Sequence, residues 1–181
     1  KAKKRTMAWT MEGVVDIIEN VQVALCKLEG KRIRNMNINL ADMRHIDNCV
    51  AILQHSDLGR AYFSDGEKAK NLLTYAVEQK DVYVALDENE KCVGFVYYLQ
   101  KGVFGSYPYL HIIAVKEEYR GFGIGKQLMK YFEENASEYA STKLFLTVDD
   151  FNPRAKKLYE SLGYHCVGEL PDFYKKGINC Y

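Results

Sequence analysis

Between Tyr109 and Val148 the sequence reads strand, helix, strand, and that order limits the folds open to the chain. Tyr109-Leu110-His111-Ile112-Ile113-Ala114-Val115 is an apolar run rich in strand formers. A short polar turn follows. A helix then starts inside Gly121-Phe122-Gly123-Ile124-Gly125 and runs to about Tyr139, with Ile124, Leu128, Tyr131, Phe132 and Ala136 on one face. Leu144–Val148 is strand again. Two strands joined through a helix lie parallel and are connected by a right-handed crossover, so the helix covers one face of a sheet.

The other segments add antiparallel pairs. Met36–Leu40 alternates as a strand, and Met43, Ile46, Val50 and Leu53 mark a helix. Gly59 and its polar surroundings read as a loop. Ser64-Asp65-Gly66-Glu67 fits a capping box that opens a helix with Leu72, Leu73, Ala76 and Val77 on one side. Val82–Leu86 and Cys92–Leu99 flank the polar turn Asp87-Glu88-Asn89-Glu90 and pair as a hairpin, with Tyr107–Val115 next. Asn152-Pro153 opens a helix with Ala155, Leu158, Tyr159 and Leu162 on its apolar face, ended by Gly163. Tyr164–Leu170 and Asp172–Tyr181 read as two final strands. The expected class is α/β in the broad α+β sense: a mixed, mostly antiparallel sheet of about six to seven strands with helices on both faces.

Composition narrows the function. A length of 181 residues suits one domain, and 48% hydrophobic content excludes a disordered chain. A net charge of +1 gives no general attraction to nucleic acid or anionic membrane. No apolar run approaches the roughly 18 residues of a membrane span. Lys1-Ala2-Lys3-Lys4-Arg5 lacks the apolar stretch that a signal peptide needs behind it, so a cytoplasmic location is expected. The five cysteines are scattered without a Cys-x-x-Cys pair, which argues for small buried thiols and against a metal site.

The near-zero charge is a cancellation. Residues 1–35 hold eight basic and four acidic side chains, against 17 and 20 in the remainder. Within that front segment Val14, Ile17, Ile18, Val21, Leu25 and Leu28 form an amphipathic helical stripe behind a basic tail. The stripe must bury against its own domain, 36–181, or against a second copy in a homodimer. A charge of +4 is too small and too unpatterned for a nucleic-acid partner.

The glycine cluster carries the chemistry. Free amides at a helix start, with the helix dipole, bind anions, and glycines let a phosphate approach the backbone. Arg120 and Lys126 add positive charge. A P-loop fails, because Gln127 follows Gly125-Lys126 and Arg120 stands where the first glycine belongs. A dinucleotide fingerprint fails on spacing. Arg/Gln-x-x-Gly-x-Gly/Ala is met in full by Arg120, Gly123 and Gly125.

At this point the chain resembles the GNAT superfamily of acyl-CoA-dependent N-acyltransferases. Arg120–Gly125 looks like its phosphate loop. Asn152-Pro153-Arg154-Ala155-Lys156-Lys157-Leu158-Tyr159-Glu160-Ser161-Leu162-Gly163-Tyr164 looks like its second signature. The likeness covers about Met36 to Tyr181. It implies two central parallel strands splayed apart, and acetyl-CoA as cosubstrate without a metal. It also implies a cofactor site of Ile113, Ala114, Val115, Arg120, Gly121, Phe122, Gly123, Ile124, Gly125, Lys126, Asn152 and Tyr159. The loop amides would hold the pyrophosphate, the end of the strand would pair with the pantetheine arm, and an amide near Ile113 would polarise the acetyl carbonyl. Asn152 would bond to the arm or cap its helix. Tyr159 would protonate the departing thiolate, since a phenol donates while staying protonated at neutral pH.

The general base is less determined. Thr147 stands where a glutamate is sought, so His111, Asp149, Asp150 and a water chain all remain candidates. Tyr97, Tyr98, Tyr107, Tyr109 and Tyr174 cluster toward the acceptor side, where their rings would suit an amine of a small molecule or peptide. The function expected is N-acetyl transfer to a primary amine by direct attack in a ternary complex. The alternative is a non-catalytic acyl-CoA-binding regulatory module.

Overall fold

The structure is a computed structural model that describes residues 36–136 and 143–181. The expected front helix and basic tail, Cys26, and the last turn of the helix ending near Tyr139 lie outside the described residues. Strands β1 (Asn37–Leu40), β2 (Val82–Leu86), β3 (Cys92–Val103), β4 (Tyr107–Val115) and β5 (Phe145–Leu146) form one sheet in that order. The first four are antiparallel neighbours, and β4 pairs with β5 in parallel.

Helices α1 (Ile46–Gln54) and α3 (Gly66–Glu78) cover one face, with α2 (Asp57–Tyr62) between them in sequence. Ile46, Ile52, Leu53, Leu73 and Val77 meet Val84, Phe95, Tyr97, Ile112 and Ala114 of the sheet in one core. The opposite face carries α4 (Ile124–Ala136) and α5 (Pro153–Ser161). There Leu128, Met129, Phe132 and Tyr159 meet Val93, Val96, Tyr98 and Leu110 in a second core. From Phe95 to Tyr98, alternate residues of β3 therefore feed alternate cores, and the register shift between β2 and β3 near Gly94 puts Val93 on the second face.

Several expectations change. The sheet has five strands rather than six or seven among the described residues. The final two predicted strands reduce to isolated bridges, Asp149 with Cys180 and Leu170 with Cys180. Val148 and Tyr181 exchange backbone hydrogen bonds at 3.1 and 2.9 Å, so the last segment still closes the sheet beyond β5. β3 runs four residues past Leu99, to a turn at Phe104-Gly105. The stretch around Gly59 is helix α2, capped by Ser56, whose Oγ accepts from the Gly59 amide at 2.9 Å. Asp65, one residue after Ser64, caps α3 by accepting from the Glu67 amide at 3.0 Å. Of the cysteines, Cys49, Cys92 and Cys180 are buried thiols as expected, whereas Cys166 is exposed.

Among the described residues no helix is long and apolar enough to cross a membrane.

Candidate active site

The site begins where two strands part. β4 and β5 pair only at Tyr109–Phe145 and Leu110–Leu146. At the next residue β4 carries a bulge: Tyr97 pairs with Ile112 but Tyr98 pairs with Leu110, so His111 is extra. A bulge bends its strand and raises its twist. Beyond it Ile112–Val115 have no parallel partner from β5, and a cleft of about 590 Å³ opens between the strands. Ile113, Ala114, Val115, Arg120, Gly121, Gly123, Ile124, Gly125, Lys126, Asn152, Tyr159 and His111, all expected from sequence, line it. Phe122 does not: its ring is buried in the core beneath α4.

At one end the lining is cationic and rich in amides. Gly121 and Gly123 adopt φ of +92° and +87°, which costs an L side chain strain, and they turn the chain into α4. The first helical bond runs from the Gln127 amide to the Gly123 carbonyl at 3.1 Å. The amides of Ile124, Gly125 and Lys126 thus form the open first turn of the helix. Lys68 and Arg154 join Lys126 around this cleft. Arg120 has a different part: its Nε donates to the Val115 carbonyl at 3.1 Å and its Nη2 to the His55 carbonyl at 3.3 Å. The side chain expected to add charge for a ligand braces the loop against the end of β4 and the end of α1.

The central lining holds the proton-transfer candidates. Asn152 caps α5 through Oδ1, which accepts from the Ala155 amide at 3.1 Å, and Pro153 follows at the first helical position. The cap reading of Asn152 is therefore met, while the residue also lines the cleft. Tyr159 is 7% exposed, and burial drives its phenol pKa well above the ordinary value. His111 packs against the rings of Tyr97 and Tyr109, with centroids 5.0 and 5.8 Å away. Burial holds its pKa below 6.5, so the imidazole is neutral at neutral pH.

The other end is aromatic. Tyr62, Thr147, Asp149 and Tyr174 line it. Tyr109 ties two of them together, its hydroxyl lying 2.8 Å from both Thr147 Oγ1 and Tyr174 Oη. Tyr98 and Tyr107 do not take part: Tyr98 stacks on Tyr83 under α4, and Tyr107 packs on Phe145. Asp150, another base candidate, is bound by the Asn179 amide at 3.1 Å. The α1–α2 region supplies Ser56, Tyr62 and Phe63 to the cleft, none of which carried a recognisable sequence signal.

The family description "Acetyltransferase (GNAT) family" matches residues 43–164. The chain belongs to the GNAT acetyltransferase family. This GNAT-family chain is 41% identical over 88 residues to a thialysine N-epsilon-acetyltransferase of Bos taurus, covering 49% of each chain. It is 27% identical over 138 residues to a spermine/spermidine N(1)-acetyltransferase of Bacillus subtilis, covering 64% of this chain and 87% of the other. The chain spans about half the length of the thialysine acetyltransferase it matches. Ard1 from Thermoplasma volcanium superposes with a TM-score of 0.67 at 21% identity, over 81% of this chain and 93% of that one. A GNAT acetyltransferase from Bacillus cereus gives 0.65 at 18% identity, over 81% and 94%. At those identities the two structures establish the shared fold.

Proposed function

We propose that the protein transfers an acetyl group from acetyl-CoA to a primary amine of a small molecule or peptide, by direct attack in a ternary complex. The observation that carries this reading is one cleft whose lining combines an open helix start, the cations Lys68, Lys126 and Arg154, buried Tyr159 and neutral His111. That lining fits a diphosphate followed by an extended thioester arm. The amine-acetylating relatives support the acceptor class.

Acetyl-CoA supplies the activated thioester. The amides of Ile124, Gly125 and Lys126 hold its pyrophosphate, and Ile113–Val115 pair with its arm as an unpaired strand edge pairs with a peptide. A backbone amide near Ile113 donates to the oxygen on which negative charge develops. His111 accepts the proton that the ammonium must lose before it can attack. Tyr159 donates its proton to the departing sulfur, burial keeps that proton in place until then, and the second proton that the nitrogen sheds as the amide forms returns to the phenolate. The reading puts the protein in a reducing cytoplasm, where Cys49, Cys92 and Cys180 persist as thiols.

The test is release of free thiol from acetyl-CoA in the presence of a panel of polyamines, lysine derivatives and short peptides. Turnover with at least one amine is expected. Tight CoA binding with no turnover across the panel would favour the regulatory module, which Thr147 in place of a carboxylate also suits.

A further inference from the structure

Asp149 is the one charged residue buried among the described residues, at 7% exposure. It lines the aromatic end of the cleft, three residues past Leu146 of β5. No ion pair among the described residues includes it. Its Oδ1 accepts a hydrogen bond from the Cys180 thiol at 2.8 Å. Burial, followed by Asp149 itself, pushes the Cys180 pKa up to about 12, so the sulfur remains a donor. The backbone bridge between Asp149 and Cys180 fixes that contact from the last segment of the chain.

Beside it the Tyr174 hydroxyl is bonded to that of Tyr109, but one polar group is left over. The Tyr62 hydroxyl is buried and has no hydrogen-bond partner. Burial raises its pKa, and Asp149 is the next cause. The rings of Tyr62 and Tyr174 meet edge-on with centroids 6.1 Å apart, and Phe151 backs Tyr62 at 6.1 Å. A buried carboxyl group without a cation is costly, and ring faces are negative. Both features are relieved by one ligand chemistry, a compact cation with several N–H donors.

We propose that Asp149, oriented by Cys180 and walled by Tyr62 and Tyr174, binds the protonated ammonium of an aliphatic amine. That this amine is the acetyl acceptor rests on the acetyl-transfer reading, but its binding does not. The end of a polyamine and the side chain of lysine present the same ammonium, so both are tested.

Calorimetric titrations of the CoA-saturated protein use 1,4-diaminobutane, lysine blocked at its α-amine and carboxyl, and 1,4-butanediol. At least one amine binds and the diol does not, and the tighter amine identifies the source. Asp149→Asn weakens that amine about tenfold or more, while CoA affinity stays within about twofold. Cys180→Ser, which keeps a donor, binds more tightly than Cys180→Val. Tyr174→Leu, at a position 47% exposed and therefore safe for folding, weakens the amine about three- to tenfold. The proposal is overturned if neither amine binds the wild type, if the diol binds as well, or if Asp149→Asn or Tyr174→Leu binds unchanged. Ammonium binding lost in Asp149→Asn without turnover in the wild type retains this subsite and removes the transferase reading. Turnover with an unchanged amine KM in Asp149→Asn does the reverse.

Discussion

Gly59 sits in α2 where a side chain has no room. A Cβ built there lies 1.8 Å from the Leu53 carbonyl oxygen, 2.6 Å from its carbon and 2.7 Å from the Gln54 Cα. All three are backbone atoms at the end of α1, so no rotamer change relieves the overlap. Restoring an ordinary contact requires α2 to retreat by about 1.5 Å from that carbonyl. The Ser56 Oγ that bonds both Leu53 O, at 2.6 Å, and the Gly59 amide, at 2.9 Å, cannot hold both through such a shift. Overpacking against rigid backbone and loss of a helix cap together cost about 3 kcal/mol in Gly59→Ala. For a domain of this size that lowers Tm by about 6–12 °C, measurable by calorimetry. The shift also moves Tyr62, at the end of α2, so KM for the amine should rise more than Kd for CoA, whose phosphates are proposed to sit at the start of α4. A variant that melts within about 2 °C of the wild type would refute that close approach of α2 to the end of α1.

Three further outcomes are expected. Tyr159→Phe lowers kcat by about 10- to 1,000-fold with CoA affinity intact, measured by thiol release and direct titration. His111→Gln lowers kcat/KM about 10- to 100-fold and removes the acid limb of its pH profile, which in the wild type lies below pH 6.5 because burial lowers the imidazole pKa. The same shift acts on stability: the unfolded chain takes up this proton near 6.5 and the folded chain only lower, so acidification through that window favours unfolding, seen as a falling Tm that His111→Gln partly removes. Arg120→Met loses the bonds to the Val115 and His55 carbonyls and weakens CoA about tenfold by titration, whereas Arg120→Lys recovers only part of it because an ammonium lacks the fork.

Much of the glycine-rich end of the cleft was legible because it is written locally. Gly121, Gly123 and Gly125 announce a helix start, and Asn152-Pro153 announces another, within a few residues each. The aromatic end was legible only in part, in Asp149 and Tyr174. Tyr62, Asp149, Tyr174 and Cys180 meet only through tertiary folding, and the Asp149–Cys180 contact joins positions 31 apart. Helix α2 was hidden by Gly59, a poor helix former retained for close packing. The Arg120 pattern was recognised but its use was not: a guanidinium can meet an anion or a carbonyl, and only the positions of Val115 and His55 decide between them. The last two strands failed because a strand needs a ladder as well as an alternating pattern, and Leu170 finds only a single bridge to Cys180.

The bulge at His111 bears on how such a cleft persists. It falls on the residue directly after the last parallel pair, Leu110 with Leu146. Ahead of it Leu110 points into the core under α4, while beyond it Ile112 and Ala114, of the same parity, point into the core under α1 and α3. One additional unit of chain thus reverses the faces of β4 at the place where its neighbour departs. The gap is encoded by residue count rather than by residue identity. Side chains along β4 can change while the opening stays, whereas deletion of His111 would leave Leu110 and Ile112 on their present opposite faces but remove the bulge that bends the strand where β5 departs.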